Sequence, residues 1–495
     1  MALPSGLDPR TPVIVGVAQL VDRTGDSPEP VALMTEALRL AAADAGAPQI
    51  LGAADVVGVV PVVSWRYFDP AALVAGNLGA RPRERWHPAM GGNTPQKLVN
   101  KGACSIQAGN SDVVLVCGGE SYRTRQSLRR SGGRPDWTQQ RPEDEPTWGD
   151  AQRLEIGHPA EMALGIFLPT QCYPLFESAI RHVAGRTAAE HTAVIAQLWA
   201  GFSEVASHNP FAIDRTAYSA EEIATVDDRN RMIGFPYTKH MVSNPDIDAA
   251  TGVVMCSAER ADALGIARDR WVFPWSGADG DDPLLSLRPR LTGSSAIRVA
   301  GGAALQLAGV GVDELAHLDV YSCFPSAVQI ACAELGIGLD RQLTVYGGLC
   351  FAGGPWNNPV GHAIAAMVDT LRGDAGSIGF VTANGGIIQK HAFGVYSTEP
   401  PRSGGFAHAH PQFAIDSSEP GRDVSTDHDG AVEIEAFTVM HERDGSMARA
   451  HAAVLTPSGD RAWAVTDDAE VMARMETDDL VGASALRSAD GTLTL

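Results

Sequence analysis

The chain has 495 residues, 44% of them hydrophobic, and a formal charge of −21. That much apolar sequence exceeds one small core, so two or three domains or half-domains are expected. The acidic balance argues against nucleic acid and against an anionic membrane surface, because both need a basic face.

No apolar run is long enough to predict a membrane span, and the opening MALPSGLDPRTP lacks the apolar centre of a signal peptide. The seven cysteines are scattered, with no CxxC pair. They fit a reducing cytoplasm and suggest neither a disulfide framework nor a zinc site.

In chain order, TPVIVGVAQL (11–20) is a β-branched apolar run and predicts a buried strand. PVALMTEALRLAAADAG (30–46) has helical periodicity and ends at Gly46, a plausible C-cap. AADVVGVVPVVS (53–64) reads as the next strand. GGNTPQKLVNKGACSIQAGNSDVVLVCGGES (91–121) reads as a Gly-Gly turn, a helix, a buried strand and a second Gly-Gly turn. Alternation of this kind predicts a parallel or mixed sheet covered by helices. Residues 121–245 are rich in Arg, Pro, Trp and Asp, and read as a lid or loop excursion from the sheet.

The pattern then returns. DAATGVVMCSAERADALGI (248–266) reads as strand and helix, and 294–337 echo 31–60: a small-residue helix, a turn, then a strand that carries Asp55 in one copy and Asp319 in the other. GGPWNNPVGHAIAAMVDTLRGDAGSIGFVTANGG (353–386) repeats the Gly-Gly, helix, strand order of 91–121. The chain is therefore read as an internal duplication of one supersecondary unit. After about residue 400, strands joined by Asp-Gly and Ser-Gly turns, with one helix, predict a separate small, barrel-like β domain.

With GNSDVVLVCGGES (109–121), DVYSCF (319–324), YGGLCFAGG (346–354) and VTANGG (381–386), the chain resembles the thiolase superfamily. Within it, the chain is most similar to the thiolase-like proteins of type 1, in the sterol-carrier-protein branch, which carry an extra C-terminal β domain. The resemblance implies an α/β fold of five layers, αβαβα, built from two halves. It places the first half with its lid at 10–270, the lid at about 121–245, the second half at 271–399 and the β domain at 400–495. It also implies coenzyme A thioesters as substrates or ligands, no covalently bound cofactor, and either a monomer or a homodimer paired through a sheet edge.

The family's catalytic groups are missing from their places. A nucleophilic cysteine at the start of the first repeated helix would have its thiolate favoured by unpaired N–H groups and the positive dipole end. Here that place is Gly91-Gly92-Asn93, and Cys104, a dozen residues on, reads as core. The activating histidine of the second helix is replaced in Gly353-Gly354-Pro355, and the proton-shuttling cysteine of the last loop in Ala383-Asn384-Gly385-Gly386.

What remains is a set of backbone N–H donors at Gly92, Asn93, Gly354, Asn384 and Gly385, suited to a thioester oxygen as it gains charge. Tyr321, with Cys323, is the leading catalytic candidate; the alternative is that both simply pack at a strand end. His391 is a second candidate base. Asn358 is a further candidate for binding the ligand and His362, one turn on, can face the same cavity; Asn357 or Asn358 can instead serve only as an N-cap. The Gly157-His158-Pro159 triplet reads as coincidence or a lid residue, and His408 and His410 have no partner at metal-ligand spacing. Arg123, Arg125, Arg129, Arg130 and Arg134 can meet CoA phosphates or face water.

Two functions follow as expectations. One is an enzyme acting on acyl-CoA thioesters, as an acyltransferase or at a carbon–carbon bond beside the carbonyl, without an acyl-cysteine. The other is a non-catalytic protein that binds CoA, acyl-CoA or a partner. A true thiolase using Cys104 or Cys350 is a third possibility.

Overall fold

The structure is a computed structural model and describes residues 6–25, 28–150 and 157–495. Residues 1–5 of the opening segment and 151–156 of the lid segment lie outside the described residues.

Two five-stranded sheets form the body. The first contains β1 (Pro12–Val21), β2 (Val56–Val59), β3 (Glu84–Trp86), β4 (Val113–Ser121) and β5 (Asp248–Ser257), in the order β1-β5-β4-β2-β3. The second contains β6 (Phe273–Asp281), β7 (His317–Asp319), β8 (Ile378–Gly385), β9 (Lys390–Ser397) and β10 (Ala407–Ala409), in the order β10-β6-β9-β8-β7.

The pairing senses repeat. β1 and β4 are both antiparallel to β5, and β2 is parallel to β4. In the second sheet β6 and β8 are antiparallel to β9, and β7 is parallel to β8. The duplicated sequence pattern is thus a duplicated topology. It includes β6, a Pro- and Gly-bearing strand that sequence periodicity did not single out.

Helices α1 (Pro30–Asp44) and α2 (Pro70–Leu78) cover the outer side of the first sheet. Val31, Met34, Leu38, Ala41 and Ala42 of α1 are buried at three- and four-residue spacing. The helix lies unusually close to the strands, because Gly16 and Gly252 leave no Cβ to strike the carbonyls of Ala41 and Ala37. Between the sheets run α3 (Thr94–Gln107) and its counterpart at Pro359–Gly373, each touching strands of both sheets and one another. The helix at Gly302–Ala308 covers the far side of the second sheet, and the helix at Pro325–Leu335 packs beside it against the turn at Ile297–Gly301. The five-layer αβαβα arrangement puts the starts of both central helices in the middle of the molecule.

The excursion holds α4 (Tyr122–Arg130) and two longer helices, α5 (Pro169–Val183) and α6 (Ala188–His208). The Arg-rich stretch read as a loop is partly helical, in α4. The C-terminal strands form a third sheet whose ends are joined by a bridge between Val465 and Thr492, so that it closes on itself. It carries its own apolar cluster, with Ile434, Phe437, Val454 and Met475 fully buried.

Candidate functional site

The turn before α3 is packed against the last catalytic-type loop. A Cβ on Gly92 would come within 2.5 Å of the Tyr321 hydroxyl and would also strike the Asn384 carbonyl oxygen. A Cβ on Gly385 would lie 2.9 Å from Gly91 Cα and 2.7 Å from Asn93 Oδ1. Gly92, Asn93, Tyr321, Asn384 and Gly385 therefore meet at one place. Among the described residues, the N–H groups of Gly92 and Asn93 donate to no acceptor. They stand at the positive end of a 14-residue helix, and the Lys390 ammonium donates to the neighbouring Met90 carbonyl at 3.3 Å.

Tyr321 is half-buried. Burial, with Cys323 and Tyr346 beside it, holds its hydroxyl well above the ordinary phenol range, so it is a proton donor at neutral pH. Tyr321, Thr382, Asn384 and His391 line a common cavity of about 10 Å³, closed on its other sides by Ile297, Ala327, Ala331, Ile388 and Phe393.

The amide of Asn384 is oriented by a residue that sequence reasoning missed. Tyr173 of α5 donates its hydroxyl to the Gly386 carbonyl at 3.1 Å. It can then only accept from Asn384 Nδ2 at 3.1 Å, which fixes which end of the amide is which. Asn384 Oδ1 is left buried and unpartnered.

His391 donates Nε2–H to the Ile388 carbonyl at 3.2 Å, with Asp282 Oδ2 at 3.6 Å from the same nitrogen. In the neutral ring, donation from Nε2 leaves Nδ1 as the nitrogen able to accept a proton. Ile388 has φ +51°, a conformation a β-branched residue rarely adopts. Its carbonyl is also gripped by buried Arg288 at 2.6 Å, and its N–H by Tyr173 at 3.3 Å. Arg288 and His391 beside Asp282 hold that carboxyl well below the usual range despite its burial.

The cysteines do not supply a thiolate. Burial pushes the Cys323 thiol up to about 12, and Cys104 and Cys350 also lie above the ordinary value for the same reason. Cys323 Sγ sits 4.0 Å from Asn384 Nδ2, so it borders the cluster as a neutral thiol.

Several expectations are corrected at the second helix start. The Gly354 N–H already donates to the Asn244 carbonyl at 2.9 Å, so it is no free donor. Asn358 occupies the N-cap position, but its amide is 3.1 Å from Thr251 and caps nothing. Asn357 donates to the Pro61 carbonyl. His362 is bonded to Gln19 Oε1 at 3.0 Å and stacked on Tyr346, away from the Tyr321 cavity; burial pulls its pKa down to about 3.

Elsewhere, His158 caps a short helix by accepting from Ala160 N–H. His408 and His410 do have a carboxylate partner, Asp279, at 2.8 and 3.1 Å, which lies 129 and 131 positions away in the chain. Among the described residues no group of three His, Cys, Asp or Glu side chains is arranged so that it could hold a metal ion. Arg123 faces Asp248 at 3.5 Å and Arg125 bonds the Val63 carbonyl, while Arg129, Arg130 and Arg134 are exposed.

Beneath Tyr173 lies a buried network. Glu177 accepts from His191 at 2.5 Å, Gln329 at 2.6 Å and Tyr237 at 2.5 Å, and Tyr237 bonds Ser326, which in turn bonds the Tyr173 carbonyl. The sequence signal was a glutamate on the otherwise apolar face of α5, in CYPLFES.

A sequence model of the family described as thiolase-like protein type 1 additional C-terminal domain matches residues 412–492. Among solved structures, a monomeric SCP2-thiolase-like protein type 1 from Mycobacterium smegmatis is 31% identical. It covers 99% of this chain and 100% of its own, with a TM-score of 0.84. An acetyl-CoA acetyltransferase from Syntrophomonas wolfei is 14% identical with TM-score 0.56, covering 79% of this chain and 99% of its own. The Ltp2-ChsH2(DUF35) aldolase is 18% identical with TM-score 0.59, covering 79% and 98%. The last two show a shared fold. A search of curated proteins finds no match.

Proposed function

The chain belongs to the SCP2-thiolase-like proteins of type 1, and from that premise we propose that it acts on acyl-CoA thioesters at the carbon–carbon bond next to the carbonyl, without an acyl-cysteine. The observation that carries this reading is the meeting of the unpaired Gly92 and Asn93 amides with the Tyr321 hydroxyl and the Asn384 loop. No cysteine beside them has a depressed pKa.

In the bond-forming direction, His391 takes the proton from the carbon next to the thioester carbonyl. The amides hold the resulting enolate oxygen. The enolate carbon attacks a second carbonyl, and Tyr321 gives its proton to the new alkoxide, so that protons and electrons balance. The reverse sequence cleaves a β-hydroxyacyl thioester into a shorter thioester and a carbonyl compound. The shared fold with an acetyl-CoA acetyltransferase supports the thioester class, and the shared fold with an aldolase supports chemistry at a carbon–carbon bond. The exposed Arg129, Arg130 and Arg134 are our candidates for the CoA phosphates.

A second reading, CoA or acyl-CoA binding without chemistry, is favoured by the size of the cavity, which at about 10 Å³ takes a group no larger than a water. A thermal-shift titration with CoA and a panel of acyl-CoAs, followed by mass analysis of the products, separates the two. Products support the first reading; shifts without products support the second.

We place the protein as a cytoplasmic monomer. All seven cysteines are free, and among the described residues no helix is long and apolar enough to cross a membrane. The β3 edge of the first sheet is covered by the chain itself: the Thr147 and Trp148 N–H groups donate to the Arg85 carbonyl, and His87 N–H donates to the Trp148 carbonyl.

A further inference from the structure

We propose that the closed C-terminal sheet braces the Ile388 turn that leads into β9, the strand carrying His391, with Arg461 as the clamp and Arg288 as the relay. Arg461 has no exposed surface. Its guanidinium holds both oxygens of Glu435 at 2.6 Å, and its remaining nitrogen donates to three carbonyls of one turn: Leu285 at 3.0 Å, Ser286 at 3.1 Å and Arg288 at 2.7 Å. Trp463 reaches the same turn through the Ser286 hydroxyl at 2.8 Å.

This turn presents Arg288, whose side chain grips the Ile388 carbonyl at 2.6 Å and pairs with Asp282 at 3.2 Å. The same Ile388 carbonyl receives the His391 ring N–H. Every link from Glu435 to His391 is a hydrogen bond of 3.2 Å or less between buried or mostly buried groups. A planar guanidinium with donors on both edges is the one side chain that holds a carboxylate and a ring of carbonyls together.

Left-handed backbone at a β-branched residue is unfavourable and persists only where its surroundings over-determine it. Arg288 from one side and Tyr173 from the other supply that constraint at Ile388. The brace therefore sets which nitrogen of His391 carries the proton and where the ring points. Arg461 and Arg288 are positioning residues; neither lines the cavity.

The proposal builds on His391 as the proton-moving group, but its test reads the imidazole itself and needs no substrate, so the absence of acyl-CoA turnover leaves it standing or falling on its own. Full-length protein with 15N-labelled histidine is examined by NMR, His391 being assigned by its loss in His391→Gln. In Arg461→Lys, exchange of the His391 ring N–H with water should rise at least threefold over wild type. The His87 ring N–H, bonded to the Phe68 carbonyl in the first half, serves as the internal control and should stay within twofold.

A smaller rise at His391, or an equal rise at both histidines, overturns the proposal. Where Arg461→Lys fails to fold, Glu435→Gln, which keeps the shape and removes the clamp's charge partner, decides by the same threshold.

Discussion

The two central helices begin from near-copies of one sequence pattern, yet their starts differ in what surrounds them. At the first, Gly92 and Asn93 keep free N–H groups beside Tyr321 and Asn384. At the second, the chain segment 243–247 lies across the turn. The Asn244 carbonyl takes the Gly354 N–H, Ser243 fills the space a Gly354 side chain would need, and Ile247 closes on Gly353. Asn357, Asn358 and His362 each bond a protein partner, His362 through Nδ1 with its Nε2 left buried and unpartnered. Duplication thus delivers equivalent backbones, while the segment laid over each helix start decides which one can receive a ligand.

The largest effect that sharpens this contrast is catalytic. Tyr321→Phe removes the hydroxyl that lies against the Gly92 turn. It should lower acyl-CoA turnover by about 10²–10⁴-fold, the usual worth of a placed acid or base, with CoA affinity changed only a few-fold. Steady-state kinetics with parallel calorimetry checks this, and undiminished turnover would remove Tyr321 from the mechanism.

Paired glycine substitutions test the two helix starts directly. Gly92→Ala forces a methyl group against the Asn384 backbone and Tyr321, and should cost about 1–3 kcal/mol of stability along with the acyl-CoA thermal shift. Gly354→Ala meets first the movable Ser243 hydroxyl. It should cost less and leave the acyl-CoA shift in place. Equal loss of the ligand shift in both variants would erase the distinction between the two ends.

The sealed end also has a pH signature. His362 is buried neutral, with a pKa pulled from 6.5 to about 3. Between those values the unfolded state binds the extra proton, so stability is present above about pH 6.5 and lost as pH falls, at up to about 1.4 kcal/mol per pH unit for one group. Asp319 and Glu120, pushed up to about 7 by burial, tilt part of the same window the other way. The difference between His362→Gln and wild type is therefore the quantity to read. Urea unfolding from pH 7 to pH 4 should show a flatter acid limb in the variant; parallel curves would mean that His362 finds a proton acceptor in the fold.

Much of this was legible in the sequence, and for a physical reason. The Gly-Gly, helix, strand order is local, so periodicity and turn residues revealed both halves and hence the two helix starts. The expectation that Tyr321 stands near Gly92 came from the family resemblance carried by DVYSCF, not from periodicity. The partners that arrive from far along the chain were not legible. Asn244 plugging Gly354, Tyr173 steering Asn384 across 211 positions, and Asp279 joining His408 and His410 leave no periodic trace. Asn358 shows the same limit: a good capping residue at the capping position bonds Thr251 instead, because a buried hydroxyl on β5 competes for its amide.

The most direct test is a crystal structure with an acyl-CoA analogue whose thioester sulfur is replaced by methylene. The carbonyl oxygen should lie about 2.7–3.1 Å from the Gly92 or Asn93 nitrogen and within hydrogen-bonding reach of the Tyr321 hydroxyl. An analogue bound with its carbonyl at the Gly354 turn, or anywhere those amides do not reach, would contradict the claim that the first helix start is the open one.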